Sequence, residues 1–313
     1  FIKGHIPEVK YARDLNRYST QHIRKFLGLQ PDRNTGTRTL RLIVMNRLRP
    51  IYDLDGEHFW TVFWQCVACH YRLWVNGIHH GDVSFNNLMY DISETEDPVG
   101  IVNDFDLATR VGHSTTNNDR TGTIPFMAID MLDGGLDDRI PRLYRHDMES
   151  FIWVLAYITV ANIEYGGRTI KISPLPEVDT WFKDDGQANR DAHILSKRHF
   201  HVEYGRSQPV SDGYYCYRTV IQQMIWYWDD FHQSLRDIRY PRQAWRRGGS
   251  NPTRAGRVIN EPEVDDPTGS LRLFITTVEK LLGEQGLGEP GFAEVKTLLL
   301  EAIEPATARD GVM

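Results

Sequence analysis

The sequence predicts an α+β fold in which a small β segment leads into a mostly helical body. Three observations carry this expectation. Leu40 to Met45 is a β-rich apolar run near the start of the chain. Asp55 to Asn76 repeats apolar residues every three or four positions, among them Phe59, Phe63, Val67, Leu73 and Trp74, and Gly77 stops it. His146 to Thr159 is the most hydrophobic helical stretch of the chain. With 313 residues, 41% of them apolar, there is enough material for one large or two modest domains.

Taken in order, Gly4 to Asp14 reads as a short strand and turn. Ser19 to Leu29 reads as a helix that Ser19 or Thr20 can cap, because a hydroxyl there accepts a hydrogen bond from a first-turn amide. Gln30 to Thr37 is a polar loop, and Asn46 to Pro50 is a connection expected to act as a hinge. Beyond the long helix, strand signals at Asn87 to Asp91 and Gly100 to Val102 flank the acidic loop Ser93 to Asp97, predicting a hairpin. A Ser/Thr-rich loop follows at Gly112 to Thr123.

The aromatic-heavy segment Tyr214 to Leu235 predicts a helix able to pack on His146 to Thr159. Between them, Asn162 to Ser211 mixes Pro, Gly and charge around Trp181 to Lys183 and predicts short helices and loops. Pro241 to Asp266, with Arg246, Arg247, Arg254 and Arg257, reads as a solvated linker. Ser270 to Leu282 and Phe292 to Ile303 close the chain as amphipathic helices.

Composition narrows the classes of function. A formal charge of -6 argues against a domain built to grip a phosphate backbone, so no nucleic-acid partner is expected. The longest strongly apolar stretch, Phe151 to Ala161, has about half the roughly 20 residues that a membrane crossing needs, so no membrane partner is expected either. No signal-like segment opens the sequence, and three cysteines are too few for a disulfide framework, which predicts an intracellular protein of the cytoplasm or nucleus. Cys66 and Cys69 form a C-x-x-C pair beside His70, but i and i+3 thiols on an apolar helix share a buried face, and no second ligand pair completes a zinc set. His193, His199 and His201 read as residues of a surface helix.

The chemistry is concentrated in His80-Gly81-Asp82-Val83-Ser84-Phe85-Asn86-Asn87, followed by Val102-Asn103-Asp104-Phe105-Asp106-Leu107-Ala108. This is H-x-D-x-x-x-x-N followed by D-F-x. Phosphoryl transfer explains the spacing: one carboxylate sits beside the attacking hydroxyl, while an amide and a second carboxylate hold magnesium over the phosphates. Asp82 is the candidate base, grouped with Ser84 and Asn87 as catalytic positions. Asn87 and Asp104 are the candidate ligands of the ATP-bound Mg2+, with Asp106 as a further metal ligand. One such loop is a weak signal by itself, because short polar turns have similar composition. Two further pieces strengthen it: Gly122-Thr123-Ile124-Pro125-Phe126-Met127-Ala128-Ile129-Asp130, and Arg145-His146-Asp147-Met148-Glu149-Ser150-Phe151 at the start of the hydrophobic helix.

On these residues the chain resembles the fungal-type protein kinases. The similarity extends to Leu48-Arg49-Pro50-Ile51, to the run from Cys69-His70-Tyr71 to Gly77-Ile78-His79-His80, and to His146-Asp147-Met148-Glu149-Ser150-Phe151-Ile152-Trp153-Val154-Leu155. The resemblance implies a protein-kinase-like fold: residues 1–50 as the remnant of a β amino-terminal lobe up to the hinge, 51–240 as a mostly helical carboxyl-terminal lobe, and 241–313 as a linker and helical extension. It implies ATP- and Mg2+-dependent Ser/Thr phosphorylation of protein substrates. Gly122 to Asp130 would be the end of the activation segment, where the peptide is positioned, and His80, Thr123, Asp130 and Asp147 would support the site. No G-x-G-x-x-G loop precedes His80, and neither Lys3 nor Lys10 lies in a V-A-I-K-like strand, so those parts are expected upstream of Phe1.

Four positions depart from the family pattern. Gly81 replaces an arginine, which predicts no requirement for phosphorylation at Thr115, Thr116 or Thr121, an expectation that phosphatase treatment tests. Ser84 replaces a lysine and removes a cation. Asp106 replaces the glycine of D-F-G; on an extended backbone it would face the same way as Asp104, and otherwise it caps the next turn. Asp130 stands for a glutamate as a structural anchor. Two rival readings stay open: a pseudokinase scaffold, and a small-molecule phosphotransferase of the aminoglycoside or choline kinase type, whose H-G-D and D-x-D habits also fit.

Overall fold

The computed structural model describes residues 2–29, 37–54, 56–92, 97–111, 122–133, 142–160, 163–165, 168–170, 190–207, 219–228, 265–284 and 292–304. Thr115, Thr116, Thr121, Cys216, the stretch around Trp181 and the predicted linker over 241–264 lie outside the described residues. The architecture is the predicted α+β type, helix-rich with small antiparallel sheets. The chain divides into two compact units, residues 1–122 with 304–313, and residues 123–303.

In the first unit, β1 (Val9–Ser19) and β2 (Thr39–Met45) form an antiparallel ribbon with Arg13 opposite Leu42 and Leu15 opposite Leu40. β1 starts later and runs further than predicted, because β2 offers ladder partners as far as Thr39, which faces Ser19. Ser19 then caps α1 (Thr20–Phe26), its Oγ accepting the His22 amide at 3.3 Å, and Arg24 and Lys25 sit in the last turn where the helix dipole favours cations. β3 (Arg49–Pro50), β5 (Leu88–Ile92) and β6 (Pro98–Val102) form a three-stranded sheet in the order β3-β5-β6.

Helix α2 (Gly56–Val75) packs on β6 and is buried almost all round, including every apolar position predicted for it. Contact is closest at Gly100, whose amide donates to Gln65 Oε1 at 2.7 Å and where an added Cβ would lie 2.6 Å from the Val62 carbonyl oxygen. Cys66 and Cys69 are packed thiols of this core: Cys69 Sγ donates to the His5 carbonyl at 3.4 Å. Burial pushes Cys66 well above the usual thiol range and Cys69 up to about 12, so neither thiolate forms at neutral pH. Gly77, with φ +76°, ends the helix in the conformation that glycine tolerates best.

The second unit opens with a 3-10 turn at Ile124–Phe126 and the short α3 (Ile129–Asp133). Helix α4 (Tyr144–Val160) is its core, with Met148, Phe151, Ile152, Trp153, Val154, Leu155 and Ala156 all buried. Asp265 caps it from far along the chain, accepting the Tyr144 amide at 2.8 Å. The region predicted as short helices and loops instead holds the strand pair β8 (Ile163–Tyr165) and β9 (Arg168–Ile170), and the 18-residue helix α5 (Arg190–Ser207). Polar residues on the buried face of α5, His193 and Lys197 beside Ile194 and Phe200, hide its apolar period. His193 is therefore buried, not on the surface, whereas His199 is exposed.

Helix α6 spans residues 219–228, within the predicted aromatic stretch, and places Tyr227 and Trp228 against Phe274 at centroid distances of 5.6 and 6.1 Å. Phe274 belongs to α7 (Pro267–Glu284), which also contacts α4, and α8 (Phe292–Ile303) follows. Both predicted closing helices are thus present. Pro267 opens α7, and Asp266 accepts the Gly269 amide at 2.8 Å. No helix among the described residues is long and apolar enough to cross a membrane.

Candidate active site

Four short strands bring the two motifs together. The loop from His80 to Asn87 leaves β4 (Ile78–His79) and enters β5, while the segment from Asn103 to Ala108 leaves β6 and enters β7 (Thr109–Arg110). Because β4 pairs with β7 and β5 with β6, both ends of one loop are tied to both ends of the other. The tie continues past the hairpin, with the Asn103 amide donating to the Asn87 carbonyl at 2.9 Å. The stacked rings of Trp74 and His79, 3.6 Å apart, anchor the entry to the first loop on α2.

His80 is buried and spans the two segments. Its Nε2–H donates to the Asn103 carbonyl at 2.8 Å, and Nδ1 accepts the Asp82 amide at 3.3 Å, which assigns the neutral tautomer protonated at Nε2. Phe105 meets the ring edge-on at 5.0 Å. Gly81 has φ +86°, and a Cβ there would lie 2.8 Å from the Leu107 carbonyl oxygen. The arginine expected at this position would not fit this backbone.

Asn87 is buried, and its Nδ2 donates to the Asp82 carbonyl at 2.9 Å and to Asp82 Oδ2 at 3.2 Å. That bond fixes Asp82, which is half-buried, and turns the amide oxygen Oδ1 of Asn87 the other way. Ser84 is buried, and its carbonyl closes the turn by accepting the Asn87 amide at 3.0 Å. Asp104 is exposed and, among the described residues, is the one non-glycine with positive φ, at 61°. Such a residue is uncommon and marks stored strain.

The Asp104 carboxylate accepts the Asp106 amide at 3.4 Å. The backbone at Asp104 is left-handed, not extended, so Asp106 does not follow it on the same face as along a strand. An exposed carboxylate and an amide oxygen are hard donors of the type magnesium takes, so this donor set fits the ion. Among the described residues there is no cluster of three or more His, Cys, Asp and Glu side chains able to hold a metal. The set predicted here is smaller, and phosphate oxygens and water would complete it.

Sequence reasoning missed a cation near this site. Arg41 on β2 is ion-paired with Asp14 at 2.5 Å, and its guanidinium is held above its usual range first by that hydrogen bond and to a lesser degree by the charge of Asp106. Its place depends on the strand register, which no local motif announces.

Thr123, Asp130 and Asp147 belong to the second unit. Thr123 starts the 3-10 turn, its carbonyl accepting the Phe126 amide at 2.8 Å. Asp130 forms a buried ion pair with Arg145 at 2.9 Å, and Asp147, fully buried, pairs with Arg142 at 2.7 Å. His146 Nδ1 accepts the Leu143 amide at 3.1 Å, and burial, then repulsion by Arg145, lowers its pKa to about 3. Lys197 and Glu149, neither singled out by sequence, are buried in the same unit. The spacing of His193, Lys197 and Phe200 was the available signal for an inward-facing lysine.

Comparison with known proteins agrees with this reading. Residues 7–159 match the model of the family described as fungal protein kinase, so that segment is similar to this family. That family is one of protein kinases, a class of phosphotransferases. The structure of the Cydia pomonella granulovirus kinase, PK-1, is similar at 16% identity and a TM-score of 0.37, over 71% of this chain and 68% of that chain. No curated protein matches the sequence.

Proposed function

We propose that the chain is an ATP- and Mg2+-dependent protein kinase of the Ser/Thr type, acting on protein substrates inside the cell, in the cytoplasm or nucleus. The observation that carries this reading is the pairing of two loops by four strands, which holds Asp82 and Asn87 alongside the segment of Asp104. ATP with magnesium supplies the phosphoryl group and neutralises the charge that develops on it. Asp82 accepts the proton of the substrate hydroxyl as its oxygen attacks, and the Asn87 amide keeps that carboxylate in one orientation. Asn87 Oδ1 and the Asp104 carboxylate would hold the cation, while Asp106, whose amide donates to the Asp104 carboxylate, caps the turn. Ser84 brings no positive charge to this loop.

The test is transfer of labelled γ-phosphate to casein, together with magnesium-dependent ATP binding by calorimetry. Asp82→Asn should lower transfer by about a hundredfold or more while leaving ATP binding intact. Asp104→Ala should remove the magnesium-dependent part of binding. ATP binding without transfer in the wild type would favour the scaffold reading. The small-molecule reading has one structural point in its favour, that glycine at 81 is required by the close approach to Leu107 and is not incidental to H-G-D. Transfer to choline or an aminoglycoside in preference to casein would decide for it.

A further inference from the structure

The backbone from Met127 to Ile129 is fastened by two buried side chains of opposite charge, each from a different helix. Lys197 of α5 is fully buried, donates from Nζ to the Met127 carbonyl, and lies 4.8 Å from the centroid of the Trp153 ring. Glu149 of α4, also buried, uses one oxygen, Oε1, to accept the Ile129 amide at 2.8 Å and the Trp153 indole N–H at 2.9 Å. Between the two held groups the chain leaves the 3-10 turn, with Met127 at φ -62° and ψ 144°, an extended conformation with no helical ladder to keep it in place. Trp153 touches both clamping residues, so the indole, the ammonium and the carboxylate set one another's positions.

The energetics argue that the pair is there to hold this backbone. Burying a lysine is costly, and burial lowers Lys197 to a pKa of about 7, with Glu149 opposing the shift. A methionine or leucine would pack against Trp153 without that cost. What an apolar side chain cannot do is grip the Met127 carbonyl. Resting on the kinase reading, in which Gly122 to Asp130 positions the peptide, we propose that Lys197 and Glu149 are positioning residues for the protein substrate: through the backbone of Met127 to Ile129 they set where a substrate chain lies on that segment.

The test uses the full chain with Lys197→Met and, in case that variant does not fold, Glu149→Gln, which keeps an oxygen for the Ile129 amide but loses the charge facing Lys197. Hydrogen exchange is followed over residues 122–133 and, for comparison, over α4. Lys197→Met should raise exchange at 127–133 by about tenfold while α4 stays within about twofold, and Glu149→Gln should give the same pattern at smaller size. In the transfer assay the KM for casein should rise by about tenfold with kcat and the KM for ATP unchanged. Unchanged exchange at 127–133, an equal rise over α4, or a loss of kcat with the casein KM unaltered would overturn the proposal. A wild type that transfers nothing to casein defeats the kinase reading and the substrate role with it, while the exchange comparison still decides whether the clamp exists.

Discussion

Single residues explain why the loop from His80 to Asn87 departs from the family pattern it resembles. At position 81 the backbone is left-handed and pressed against the Leu107 carbonyl, so both the conformation and the space demand glycine. Gly81→Ala should cost roughly 1–3 kcal/mol and lower phosphoryl transfer at least tenfold by displacing Asp82. Gly81→Arg, which restores the family residue, should be worse than alanine. Urea melts and the casein assay check both, and an active Gly81→Arg protein would mean the loop adopts another path. His80, Asp82, Asn87 and Asp104 were legible in sequence because their spacing along the chain is itself the signal. Arg41, Glu149 and Lys197 were not, because their places depend on partners remote in sequence: Asp14 for Arg41, Met127 for Lys197, and Ile129 for Glu149.

Among elements, those with strong apolar periods were read correctly, as α2, α4, α7 and α8 show. The β5–β6 hairpin was also legible, being two short runs around an acidic loop. Helix α5 escaped because its buried face carries His193 and Lys197, and the reach of β1 escaped because it is set by β2. What the sequence did not reveal is how closely α2 approaches the hairpin. Gly100 lies so near the helix that a methyl group would meet the Val62 carbonyl at 2.6 Å and Cys66 Sγ at 3.0 Å, and a helix backbone cannot yield as a side chain does. Gly100→Ala should therefore destabilise the first unit by roughly 1–3 kcal/mol and loosen the β5–β6 ladder that bears Asn87 and Asp104. A lower urea midpoint together with faster exchange at residues 98–102 is the expected result, and a wild-type midpoint would show that α2 can shift outward.

Across the molecule, the described buried charges cluster in the second unit, which predicts how stability depends on pH. Folding holds His146 at a pKa of about 3 against an ordinary 6.5, and Lys197 at about 7 against 10.5. In both cases the unfolded chain binds the proton more tightly. Stability therefore rises with pH from about 3 to 6.5 on account of His146 and from about 7 to 10.5 on account of Lys197, each with a slope of at most about 1.4 kcal/mol per pH unit. Acid costs stability because an unfolded chain takes up the protons that the core refuses. The titratable groups coupled to Lys197 are Glu149 on α4 and His193 one turn back on its own helix, whose pKa it helps to lower. Of these, only Glu149 works to keep the lysine charged. Urea midpoints followed by tryptophan fluorescence should fall as the pH is lowered from 9 to 7 and again from 6.5 to 5, within the windows given by these pKa values. Lys197→Met should flatten the first fall and His146→Asn, which keeps an acceptor for the Leu143 amide, the second. Slopes are the quantity to compare, because each substitution also shifts the overall level of stability. Variant slopes that coincide with the wild type would mean that these two side chains reach water in the folded protein, and the clamp would then be reduced to the Glu149 bond to the Ile129 amide.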